Sequence, residues 1–202
     1  NVPLEVTLKD LAIQEPDWRA VSALFRELDF KRLLREIEDR VPVTAQPGLA
    51  TCALESVKEI AALVKRLEAT PCAIACWPVG DPAQSLVLAV AADAASAWVM
   101  PLEPSGPLRA WLGDAAAQKI AHDAKSAMRE CRQLGAMIRG ISGDTMIAAH
   151  LLNPARTNQT LQDLADEYLQ ERLGPSPALD GALTLTAPET IEQCGRAAAA
   201  VM

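Results

Sequence analysis

Three apolar runs in quick succession constrain this chain more than any other feature. They are CAIACW at 72–77, SLVLAVA at 85–91 and SAWVMP at 96–101. Each has the length of a strand, and each holds branched, aromatic or small residues that suit a pleated, buried surface. The turn-rich GDP separates the first two, and AADA separates the last two. Connections this short join antiparallel neighbours, so residues 72–101 are expected to form a meander.

Helical spacing surrounds the meander. Residues 55–68 place Val57, Ile60, Val64 and Leu67 on one side. Near the start, Asp17 follows Pro16 as a plausible N-cap, and Trp18, Val21, Leu24, Phe25 and Leu28 recur with helical period. A second short run aligns Phe30, Leu33, Leu34 and Ile37 before the charged EDR near residue 40. The segment VPVTAQPGLAT has the Pro and Gly of a linker. From residue 107 onward the pattern is mainly helical: PLRAWL, then 124–134, 144–152, 160–171, and a last helix opening near Pro188 and Glu189. Gly135 and Gly140 bracket AMIR, which reads as one more short strand. Strands first and helices interleaved later imply an α/β fold, a mixed sheet flanked by helices. The expected division is a helical appendage over 1–40, a linker over 41–54 and the sheet domain over 55–202.

Composition narrows the function classes. No apolar run approaches the length of a bilayer span, and the start carries no signal-peptide pattern, so a cytoplasmic setting is expected. The five cysteines are scattered and mostly set among apolar neighbours, which suits free thiols. Cys72 and Cys76 have the wrong spacing for a zinc knuckle. The formal net charge is −7, whereas a domain that grips nucleic acid by itself is usually basic. One stretch runs against this balance. Residues 118–140 hold five basic and two acidic residues, with Lys125, Arg129 and Arg132 on one helix face and Lys119 and Arg139 close in sequence. This face can meet DNA or the acidic surface of an attached module, although a merely solvated helix face is the plainer reading.

Several stretches carry a family resemblance. AWLGD (110–114), IAHDAKSAM (120–128), LGAMIRGISGDTMIAAHLLNP (134–154) and TLQDLADEYL (160–169) resemble the proofreading-exonuclease domain of bacterial DNA polymerase I, the A family of polymerases. The opening VPLEV through LFRELDFKRLLREIE resembles the tail of the 5′-nuclease module that precedes it. The resemblance implies an RNase H-like (DnaQ-type exonuclease) fold. It also implies two divalent metal ions bound by Asp-x-Glu on the first strand, Asn-x-x-x-Asp in a second motif and Tyr-x-x-x-Asp on the last helix. Hard ions take oxygen ligands, and two of them close together need several negative charges.

Laid on this sequence, those positions fall on Ala75 and Trp77, on Asp123 and Ala127, and on Ala197 and Val201. Each family carboxylate is replaced. A one-residue slip of the first strand restores nothing, because no acid lies between Glu68 and Asp81. Asp123 is the best surviving substitute; Asp81 and Asp93 suit turns, and Asp144 suits an N-cap. His122 and His150 have no nucleophile partner pattern and read as structural. The bulky Trp77 is expected to fill space once given to metal and nucleotide. The implied function is therefore an inactive exonuclease domain holding nuclease and polymerase modules apart. Mg²⁺ is expected only in the polymerase module of the parent, which alone would carry template-directed synthesis. Two alternatives remain open: a module that holds single-stranded DNA without cutting it, and a weak exonuclease built on Asp123.

Overall fold

The computed structural model describes residues 15–28, 30–37, 40, 48–67, 70–79, 85–102, 106–155, 159–174 and 187–202. VPLEV, residues 41–47 of the expected linker and Asp81 lie outside the described residues. The chain divides into two compact units, Asn1–Ala45 and Gln46–Met202.

The first unit holds two helices, α1 (Trp18–Glu27) and α2 (Lys31–Glu36). Asp17 caps α1: its Oδ1 accepts from the backbone N–H of Arg19 at 3.0 Å and of Ala20 at 3.2 Å. Phe25 and Phe30 meet across the corner between the helices with ring centroids 6.1 Å apart.

The second unit is built on a six-stranded sheet. Its strands are β1 (Ala50–Ala53), β2 (Cys72–Val79), β3 (Ser85–Asp93), β4 (Ser96–Pro101), β5 (Lys119–Ala121) and β6 (Ile141–Asp144). Their order across the sheet is β1-β4-β3-β2-β5-β6. The expected meander is there: β2–β3 and β3–β4 are antiparallel. The outer pairs β1–β4, β2–β5 and β5–β6 are parallel, which makes the sheet mixed. The helices are α3 (Val57–Leu67), α4 (Pro107–Gly113), α5 (Ala124–Gln133), α6 (Thr145–Leu152), α7 (Leu161–Leu164) and α8 (Pro188–Ala199). A π-helical turn, Ala165–Leu169, continues α7.

Alternation along β3 divides the core. Leu86, Leu88 and Val90 join Ile60, Leu63 and Leu112 of α3 and α4 in the larger cluster. Val87, Ala89 and Ala91 point the other way, into a second cluster with Cys194, Ala198 and Val201. Both faces are covered, which is why β3 reads as an unbroken apolar run. The α8 face is lined with alanine at positions 73, 89, 91 and 97, and small residues allow close helix approach.

Three expectations need correction. Residues 50–53 are an edge strand, so the linker assigned to 41–54 ends earlier. AMIR (136–139) has no regular structure; the strand follows it as β6, because Gly140 takes a positive φ of 70° and turns the chain. The region after 107 is less purely helical than expected, since β5 and β6 extend the sheet there.

Candidate functional site

Strand β5 ends opposite β2 at the Ile74–Ala121 pair, so from Ala75 onward that edge of β2 has no strand partner among the described residues. A cleft of ≈ 750 Å³ opens beside this edge. Ala75 and Trp77 from β2, Asp123 at the N-cap of α5, Ala127 within that helix and Ala197 from α8 all line it. Five of the six family positions named from the sequence therefore meet in one place. The sixth does not: Val201 is 3 % exposed and packs in the α8 core.

The indole of Trp77 is 8 % exposed and belongs to the α8 cluster, forming one wall of the cleft. The space beside it remains open, which corrects the expectation that Trp77 fills the old ligand volume. Alanine accounts for the opening, since a methyl group at 75, 127 and 197 reaches little way across.

The polar lining is sparse and already engaged. Asp123 sits at a left-handed φ of 52° and caps α5, accepting from the Ser126 N–H at 3.1 Å. A hydrogen bond from the Ser126 side chain is the main reason its carboxyl is held below the ordinary range, and the backbone N–H adds to it. Glu130 is the second acid of the lining, and the sequence reading missed it. Burial pushes its carboxyl up. Its i+7 position after Asp123 was a usable signal, because α5 turns both residues to one side.

His122 Nδ1 lies 3.0 Å from Thr145 Oγ1, and burial pulls its imidazole below the ordinary range, so the ring is neutral at physiological pH. His150 Nδ1 lies 3.2 Å from Gln159 Nε2. Arg196, also missed, brings a cation to the cleft, paired with Glu192 at 2.7 Å and approached by Glu171 at 3.7 Å.

Asp144 stands behind the cleft as a double cap. It accepts from Asp123 N–H at 3.2 Å and Ala124 N–H at 2.8 Å at the start of α5. It also accepts from Met146 N–H at 2.9 Å and Ile147 N–H at 3.4 Å at the start of α6.

The basic face divides. Lys125, Arg129, Arg132 and Arg139 are exposed. Lys119 is 0 % exposed, and its Nζ donates to the carbonyl oxygens of Asp114 (2.8 Å), Ala117 (2.8 Å) and Arg139 (3.0 Å). It also lies 4.8 Å from the Trp111 ring centroid. Three carbonyls and a π face take up the ammonium, so Lys119 is a structural cation rather than a contact residue. Two of the buried cysteines keep their protons: burial pushes Cys72 up to about 11 and Cys194 up to about 12.

This geometry matches a known group of proteins. Residues 87–175 match the family described as DNA polymerase I, ribonuclease H-like domain. The chain is related to bacterial DNA polymerase I. It is 29 % identical over 189 residues to DNA polymerase I of Mycobacterium bovis, an alignment covering 86 % of this chain and 21 % of that protein. The chain thus spans about a fifth of the length of that relative. The POL domain of Pol1 from M. smegmatis, in complex with DNA primer-template and dNTP, superimposes with a TM-score of 0.57 at 25 % identity, covering 74 % of this chain and 25 % of that one. Brucella melitensis NrnC shares the fold, with a TM-score of 0.62 at 16 % identity and 77 % coverage of each chain.

Within the DNA polymerase I relationship, the test of the cleft is its donor set. Asp123 and Glu130 are the only carboxylates in the described lining. Among the described residues no group of three or more His, Cys, Asp or Glu converges on a point. Two carboxylates, one already capping a helix, do not fit a pair of divalent ions.

Proposed function

We propose that residues 46–202 are an exonuclease-like domain of a DNA polymerase I-type polypeptide that does not cut DNA and serves as a spacer between modules. One observation carries this reading: Ala75, Trp77, Ala127 and Ala197 face the cleft where the resemblance calls for Asp, Glu, Asp and Tyr. Without those oxygens nothing offsets the mutual repulsion of two ions or orients an attacking water. In this reading the first unit is the end of a 5′-nuclease connector. The polymerase module elsewhere in the parent binds Mg²⁺ and performs DNA-directed synthesis in replication and repair, in the cytoplasm. Fidelity then rests on nucleotide selection.

The test is direct. A single strand labelled at its 5′ end is incubated with the purified chain and Mg²⁺ or Mn²⁺. No shortening from the 3′ end is expected. Shortening that disappears in Asp123→Ala would establish a relocated site and overturn the reading.

A second reading has one observation in its favour: the cleft is open at ≈ 750 Å³, with Lys125, Arg129 and Arg132 exposed on the neighbouring helix. A terminal stretch of single-stranded DNA held there without cleavage would bind in a salt-dependent way.

A further inference from the structure

We propose that Cys76 and Cys131 form an oxidisable dithiol site: exchange with a low-molecular-weight disulfide, such as oxidised glutathione, links them and staples α5 to β2. The proposal stands apart from the spacer reading, since neither thiol is among the positions that carry it.

Strand alternation aims the first thiol. Ala73 and Trp77 of β2 belong to the α8 cluster, and Ala75 packs against it. Cys72 and Ile74 belong to the larger cluster on the opposite face, and Cys76 packs against that one. Helix α5 meets the same larger cluster through Ala124, Ala127 and Cys131, a stripe at i, i+3 and i+7. Cys131 is 0 % exposed. The two cysteine side chains hydrogen-bond to each other between strand and helix.

Access is one-sided. Cys76 is half-buried and lines the ≈ 750 Å³ cleft, which leaves room for a small peptide disulfide to approach its sulfur. The other cysteines are set apart from the pair. Cys72 donates to the Thr70 carbonyl at 3.0 Å, Cys194 sits in the α8 cluster, and Cys52 is exposed on the edge strand β1.

The hydrogen bond also prepares the pair for exchange. It holds the Cys131 thiol below the ordinary range, with help from Arg109 and against burial and Glu130. The same bond, followed by burial, raises Cys76. The first proton therefore leaves from Cys131, and the Cys76 proton is shared with the thiolate that results. Passage of that proton to Cys131 frees Cys76 Sγ to attack one sulfur of the small disulfide, breaking its S–S bond and releasing one thiol. Cys131 Sγ, deprotonated again, then attacks Cys76 Sγ and expels the second. The protein pair loses two electrons and two protons, and the small disulfide takes them up to become two thiols. In a reducing compartment such a link is transient and reversible. It joins the strand that carries Ala75 and Trp77 to the helix that carries Ala127, so oxidation fixes two walls of the cleft.

The experiment uses the Cys52→Ala chain, in which the exposed thiol is gone. The folded chain is incubated with oxidised glutathione, quenched with acid, unfolded in N-ethylmaleimide, and read by intact mass and peptide mapping. Two fewer thiols than in the reduced chain should take up maleimide, and one peptide pair should join β2 to α5. Dithiothreitol should restore both thiols. Cys131→Ser should stop at a glutathione adduct on Cys76, and Cys76→Ala should leave Cys131 reduced; each serves if the other misfolds. The linked chain should melt about 5 °C or more above the reduced one, because the bridge closes a long loop. A folded chain that stays reduced at 76 and 131, while the same oxidant modifies Cys52 of the wild type, overturns the proposal. So does an adduct that persists on Cys76 beside an intact Cys131, a link that forms only in urea, or a linked chain that melts no higher than the reduced one.

Discussion

Asp144 accepts backbone hydrogen bonds from four residues, two at the start of each of two helices. Loss of one N-cap typically costs about 1 kcal/mol, so Asp144→Ala is expected to cost about 2 kcal/mol in urea unfolding. A loss under about 0.5 kcal/mol would show that the two helices do not depend on this carboxylate. The two acids of the cleft titrate in opposite senses. Asp123 is held below its ordinary value of 3.8, first by Ser126, so its stabilisation is complete at neutral pH and is lost as pH falls through the lowered folded value. Glu130 is raised above 4.5 by burial, so the folded state binds its proton more tightly; the penalty sets in as pH rises past 4.5 and is complete above the raised value. Glu130→Gln is therefore expected to raise the melting temperature at pH 7, with the gain disappearing by about pH 4. Melting curves across that range check it, and a gain independent of pH would rule out the carboxylate charge as the cause.

At the scale of elements, α8 is seated by having almost no side chain where it crosses the sheet. An added Cβ at Gly195 would lie 2.6 Å from Thr51 Cγ2 and 2.9 Å from Thr51 Oγ1. Helix propensity alone favours Ala over Gly by about 1 kcal/mol. Overpacking typically costs about 1–3 kcal/mol, so Gly195→Ala is expected to destabilise by about 1 kcal/mol net. A rise in the urea midpoint would mean that α8 does not cross β1 so closely. The elements differ in how plainly the sequence announced them. The β2–β4 meander was legible because its pairing is local and its runs are apolar. Strands β1 (ATCA), β5 (KIA) and β6 (ISGD) were not, because they have three or four residues and pair with partners distant in sequence. Lys119 looked like a neighbour of the α5 cations in sequence, whereas the three carbonyls that bury it come together only through the fold. The cleft positions came from resemblance rather than periodicity, which gives no reason for alanine at 75, 127 and 197 to meet. Arg196 and Glu130 were hidden for a similar reason: on amphipathic helices both look like ordinary surface charges.

For the molecule as a whole, the balance of charge sets a limit on how far the cleft can act on nucleic acid. The chain carries −7 overall, and with Lys119 buried the local basic face reduces to Lys125, Arg129, Arg132 and Arg139. If all four contact phosphates of a single strand, counterion release gives log K against log salt a slope of about −3, at roughly −0.7 per contact. The acidic body of the domain opposes even that, which places affinity at physiological salt at about 10⁻⁴ M or weaker, the weak end of non-specific binding. Fluorescence anisotropy with a labelled oligonucleotide across a salt series measures both quantities. Lys125→Glu/Arg129→Glu should abolish the residual signal while leaving the melting temperature of the exposed helix face unchanged. A micromolar affinity, or a slope much steeper than about −3, would require phosphate contacts beyond these four cations. Such a result would shift the reading from spacer towards a strand-holding module, because an acidic domain reaches that strength only if a built groove places further donors on the DNA.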